Sequence, residues 1–157
     1  MQKISPCLWF DGNAEEAANF YLGAFKSARI TDIMRHTESS PGTKGSVLAV
    51  LFELEGEDFM ALNGGPEYKF TPAISMFIKC ESQAEIDHYW DKLTDGGKPI
   101  ACGWLTDRFG VTWQIAPARL LKMLQDPDPV KADRTMKAMM GMIKLDIAAL
   151  DRAYNGA

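Results

Sequence analysis

The chain has 157 residues, 46% hydrophobic and 24% charged, with a formal net charge of −4; that length buries roughly 70% of the unfolded surface without staples. The acidic balance, with no clustered Lys/Arg stripe, argues against a nucleic-acid partner, and the longest clean apolar run, Val47 to Phe52, is too short to span a membrane. Three cysteines at unpaired spacing (Cys7, Cys80, Cys102) and the lack of a leader pattern point to a cytoplasmic protein.

Residues 1–116 read as one module written twice. Ser5–Phe10 lies over Ala73–Ile78 at a constant offset of 68, which also brings Phe20-Tyr21 onto His88-Tyr89. In the first copy, a strand over Ser5–Phe10 is stopped by Asp11-Gly12-Asn13. Asn13 is expected to cap a helix over Ala14–Phe25, with Glu15 and Glu16 in the first turn, where the dipole favours them. Strands follow over Ala28–Arg35, Val47–Leu54 and Asp58–Leu62. The second copy opens with a strand over Ala73–Lys79 and a helix over Gln83–Thr94 that turns Ile86, Tyr89, Trp90 and Leu93 inward. Asp95-Gly-Gly97 ends that helix, and three strands follow over Lys98–Cys102, Gly103–Thr106 and Val111–Ala116.

The tail lies outside the repeat. Asp128 as N-cap and Pro129 at the first helical position start a helix. Met136, Met140, Ile143, Ile147, Leu150 and Tyr154 then recur at packing-seam spacing, which predicts one continuous helix of about 26 residues. It docks on its own sheet or clasps a dimer partner; a single seam serves either. The fold class is α+β: two tandem βαβββ modules forming a curved mixed sheet over 1–116, then a C-terminal helical extension over 117–157.

Three stretches carry a resemblance: Trp9-Phe-Asp-Gly-Asn13 ahead of Glu15-Glu16-Ala17 and Phe20-Tyr21; Asp107 through Ile115; and Met139 to Leu150, including Lys144-Leu-Asp-Ile147. In their order and spacing they resemble the vicinal oxygen chelate superfamily of glyoxalases, bleomycin-resistance proteins and extradiol dioxygenases. Within it the chain looks like the PhnB-like branch labelled demethylubiquinone methyltransferase-like. The resemblance implies a divalent metal in the cup of the sheet, held by His, Glu or Gln from the first and last strands of each copy. Carried residue by residue, those positions are Pro6, Ala61, Ile74 and Gln114, three of which have no donor atom. A one-residue slip gives Ser5, Leu62, Ser75 and Trp113, which is no better. A divalent ion would therefore find an incomplete ligand set, and no metal or other cofactor is expected.

Strand alternation assigns Leu8, Phe10, Phe59, Met76, Thr112 and Gln114 to the cup, with Trp104 beside them, and Trp9, Phe77 and Trp113 to the helices. The expected cup is apolar with a few polar groups, as small-molecule pockets are. The candidate catalytic groups are Gln114, His36 and Cys102. His36, beside a Ser/Pro/Gly loop, reads either as a general base or as a solvated loop histidine. Cys102 reads either as a thiol nucleophile or as a small buried hydrophobe, and no basic neighbour in sequence lowers its pKa. His88 is read as a surface residue.

The leading expectation is a homodimer whose cup binds a small organic molecule without a metal. The alternative is a metal-dependent lyase, isomerase or dioxygenase-type enzyme using Gln114, His36 and Glu53 or Glu57. A third reading is an interaction module that works through its Met-rich tail. No strand leads into a glycine-rich turn of the kind that cradles adenosyl cofactors, so the sequence gives the methyltransferase label no support.

Overall fold

The structure is a computed structural model that describes residues 2–157. The chain forms two compact units, one ending at Phe70 and the other beginning at Thr71.

The first unit runs β1 (Cys7–Phe10), α1 (Ala14–Ala24), β2 (Ala28–Arg35), β3 (Val47–Leu54) and β4 (Glu57–Asn63). Its sheet has the order β1-β4-β3-β2, with β1 parallel to β4 and the other pairs antiparallel. The second unit repeats the plan with β5 (Ser75–Cys80), α2 (Gln83–Thr94), β6 (Lys98–Pro99), β7 (Trp104–Thr106) and β8 (Thr112–Pro117). Its order is β5-β8-β7-β6, again with the first and last strands parallel. Identical order in the two sheets is the structural form of the repeat, and the class is α+β.

Helix α1 buries Ala14, Ala17, Ala18, Tyr21 and Ala24. The alanines let its backbone approach the sheet closely, and Tyr21 stacks on Phe52 of β3, which stacks on Phe59 of β4. Asn13 occupies the N-cap position, but its side chain makes no capping bond. Asn63, at the end of β4, does that work instead, accepting the Ala14 amide at 2.9 Å. In α2, Ser82 Oγ accepts the Glu85 amide and Glu85 reaches back to the Glu81 amide; Ile86, Tyr89 and Leu93 are buried as expected, while Trp90 is half-buried.

Two expected elements differ. β6 ends at Pro99 rather than Cys102, because Cys102 and Gly103 both take positive φ (61° and 83°) and turn the chain out of the ladder. The single tail helix is three: α3 (Leu120–Leu124), α4 (Pro129–Met140) and α5 (Ile147–Asn155). Asp128 does cap α4, accepting the Val130 amide. The helix then stops at Gly141, and the Met142 and Ile143 carbonyls accept the amides of Cys102 and Gly103. Asp146 caps α5 through the Ala149 amide. The heptad-like spacing crosses this break: Leu150 is buried with Leu145, Ala116, Leu120 and Met123, whereas Met136, Met140 and Ile143 are exposed. The tail therefore packs on the second unit of its own chain.

Candidate functional site

In β8, Trp113 and Ile115 are buried and alternate with half-buried Gln114; in β7, buried Leu105 lies between half-buried Trp104 and Thr106. Leu105 pairs with Trp113. Trp113, Ile115 and Leu105 thus form the face covered by α2, and the opposite face carries Gln114 and Trp104. The registers fix who joins them. Phe77 of β5 and Trp104 of β7 both pair with Gln114, so Phe77, Gln114 and Trp104 form one row across three strands. The neighbouring row is Ser75, Thr112 and Thr106. Beyond Gln114 on this face, Ala116 is buried under the tail cluster of Leu120, Met123, Leu145 and Leu150, which walls off that end.

Gln114 Nε2 donates to Ser75 Oγ at 2.9 Å, which orients the amide across the β5–β8 seam and leaves its carbonyl oxygen free. Thr112 is 1% exposed, and its hydroxyl has no hydrogen-bond partner among the described residues. A buried polar group without a partner costs stability, so each such group calls for an explanation.

Six assignments from strand alternation are corrected here. Phe77 shares the face of Gln114, while Met76 pairs with Trp113 and points the other way. In the first unit, Leu8 pairs with Ala61 and Phe59 pairs with Phe52, the residue under Tyr21, so Leu8, Phe10 and Phe59 lie on the α1 side as core. Trp9 faces away from α1, with Leu62 and Ala49 completing its row. The first unit fills this face itself: Trp9 Nε1 donates to the Gly65 carbonyl, its ring meets Tyr68 edge-on at 4.9 Å, and a Cβ on Gly64 would come within 2.3 Å of the indole. The place that Gln114 holds in the second sheet is therefore taken by Leu62, not by Ala61, in the first.

His36 lines a polar cleft of ≈ 480 Å³ in the first unit with Asp11, Glu15, Ser46 and Asn63. Its Nδ1 is 3.0 Å from Ser40 Oγ, and a Cβ on Gly42 would meet Nε2 at 2.3 Å, so the loop lies against the ring and the histidine pins it. The structure does not bring His36 to the carboxylates considered with it. Glu53 pairs with Arg29 at the far end of the β2–β3 ladder, about 20 Å along the strand, and Glu57 opens β4 at that same end. Cys102 lies in the turn before β7, half-buried, its thiol 3.8 Å from the Met140 sulfur.

The residues do not fit the divalent ion of the superfamily. Pro6, Ala61 and Ile74 have no side-chain donor, and Gln114 offers one neutral oxygen. Ser75 is already bonded to Gln114. Among the described residues no group of three or more His, Cys, Asp or Glu stands where it could hold a metal. Ion sites of this kind need several converging oxygen or nitrogen ligands.

Residues 2–116 match the family described as 3-demethylubiquinone-9 3-methyltransferase. The chain is similar to the PhnB protein of Bacillus cereus, which bears the same description, at 38% identity and TM-score 0.66, over 73% of this chain and 98% of that one. It is also similar in fold to protein PA1353 of Pseudomonas aeruginosa (22% identity, TM-score 0.59, 74% and 98% covered). The fosfomycin resistance protein FosX of Listeria monocytogenes, solved with Mn(II) and sulfate, shares the fold at 13% identity and TM-score 0.52 (80% and 98% covered). No curated protein matches the sequence. Paired βαβββ units, the matched span and the Bacillus relative agree: the chain belongs to the PhnB-like 3-demethylubiquinone-9 3-methyltransferase family.

Proposed function

We propose that this chain binds a small organic molecule on the face of its second sheet that α2 leaves uncovered, and does so without a divalent metal. The observation that carries the reading is the row Phe77–Gln114–Trp104. Two partly exposed aromatic side chains flank an amide that Ser75 holds in place and whose carbonyl is unspent. Apolar surface with a few placed polar groups is the composition of ligand sites, and aromatic faces favour planar partners. Of the residues first assigned to the cup, Trp104, Thr112 and Gln114 carry this proposal. Methyl transfer is not part of it: each sheet is mixed, with no doubly wound strand order to cradle an adenosyl cofactor. The three free thiols support a reducing cytosol as the place of action, and the superfamily resemblance supports a homodimer.

Native mass spectrometry of protein isolated gently from its own host tests this. The expected spectrum is a dimer with an added organic mass that Gln114→Leu and Trp104→Ala lose. A divalent ion retained in its place, and lost in Gln114→Leu, would overturn the metal-free reading.

A further inference from the structure

The row beside Phe77–Gln114–Trp104 narrows what such a ligand must be. Ser75, Thr112 and Thr106 stand side by side on β5, β8 and β7, three hydroxyls in adjacent register. Ser75 Oγ accepts from Gln114, which leaves its O–H free to donate. Thr112 is 1% exposed and its hydroxyl bonds to nothing among the described residues. Two neighbouring unspent donors are a place for one acceptor oxygen. The charged residues at strand positions of this face are of one sign. Lys79 continues the line of Ser75 and Phe77 on β5, and Lys98 pairs with Thr106 on β6. No acidic residue occupies a strand position on this face.

We propose that the site takes a small planar aromatic carboxylate, its ring over the Phe77–Gln114–Trp104 row and its carboxylate over Ser75 and Thr112. This rests on the binding reading above and adds the ligand's class. The ring meets Trp104 and Phe77; the carboxylate accepts from the two hydroxyls, in the field of Lys98. Hydrogen bonds to an ionised acceptor are the strong ones. Thr112 then has opposite effects in the two states. Its hydroxyl is an unmet group in the free protein and a donor in the complex.

The probes are 2-naphthoate, its neutral isostere 2-naphthamide and the cation 2-naphthylmethylamine, titrated against the intact protein by NMR shift perturbation with thermal shift alongside. Naphthoate is expected to bind tighter than either of the others. Ser75→Ala and Thr112→Val should each weaken it about tenfold, while Thr112→Val raises the melting temperature of the free protein. That pairing of a stabler fold with weaker binding separates a ligand contact from a structural role. If all three probes bind alike and Trp104→Ala weakens all of them, the carboxylate class falls and the binding face stands. Equal naphthoate affinity in Thr112→Val also overturns the class. If none of the probes binds and Trp104→Ala and Gln114→Leu leave the native mass spectrum unchanged, the binding face falls as well.

Discussion

Asn63 Oδ1 accepts the amide of Ala14 at 2.9 Å across 49 residues, so the last residue of β4 caps the first turn of α1. Its Nδ2 donates to the Val47 carbonyl, tying β3 into the same joint. Losing a capping side chain costs about 1–2 kcal/mol. Asn63→Ala is expected to cost that much in urea unfolding, and Asn13→Ala much less. Equal losses would return the capping role to Asn13.

Asp107 is 3% exposed and accepts from the Phe109 and Val111 amides and from Trp113 Nε1. One carboxylate thus closes the β7–β8 turn and fixes the indole under α2. Asp107→Asn turns an acceptor into a donor facing donors, and about 2–3 kcal/mol of stability should go with it. The Trp113 emission should also shift in the folded state. An unchanged spectrum together with unchanged stability would mean that the three bonds are not coupled.

The thiols should divide by access. Burial, then Glu85 and Glu81, push the Cys80 thiol up to about 12, and the side chain is buried. Burial also raises the Cys7 thiol, although that residue is exposed overall. With a disulfide reagent at neutral pH, Cys7 and Cys102 are expected to react in the folded protein and Cys80 only after denaturation. Labelling followed by peptide mapping reads the order, and early modification of Cys80 would contradict its burial.

The tail should carry its own pH signature. The Tyr154 hydroxyl donates to Asp126, which holds that carboxyl below its usual range and Tyr154 above its own. The Asp126 contribution is present above the ordinary carboxylate pKa and is lost as pH falls through the depressed folded value. The Tyr154 contribution is present below the ordinary phenol pKa, about 10, and is lost as pH rises through the raised folded value. Tyr154→Phe should therefore flatten both limbs of melting temperature against pH. A variant profile running parallel to the wild type would remove the linkage.

Much of this architecture is legible in the sequence. The offset of 68 found both βαβββ units, and Asp128-Pro129 marked a helix start where it occurs. Signals that depend on distant partners were not legible. Asn13 has the type and position of a cap, yet the bond comes from Asn63, which no local window joins to α1. Face assignments failed at Leu8, Trp9, Phe10, Phe59, Met76 and Phe77 because alternation gives parity but not its sign. The sign follows from which side a helix covers, seen only when Tyr21 meets Phe52. The repeat itself held a hint, since it aligns Phe77 with Trp9 and both turn away from their helices. In the tail, apolar spacing concealed Gly141 and Asp146, which end one helix and begin the next.

The backbone amides of Cys102 and Gly103, answered by the Met142 and Ile143 carbonyls, bear on where this protein can be shortened. The family match runs to residue 116. A fragment trimmed to that limit would leave two amides with water alone to satisfy them, and Ala116 stripped of its apolar cover. The limit of the family match and the boundary of an autonomously stable piece are thus different places in this chain. The last forty residues act as a keystone for the half-sheet they follow.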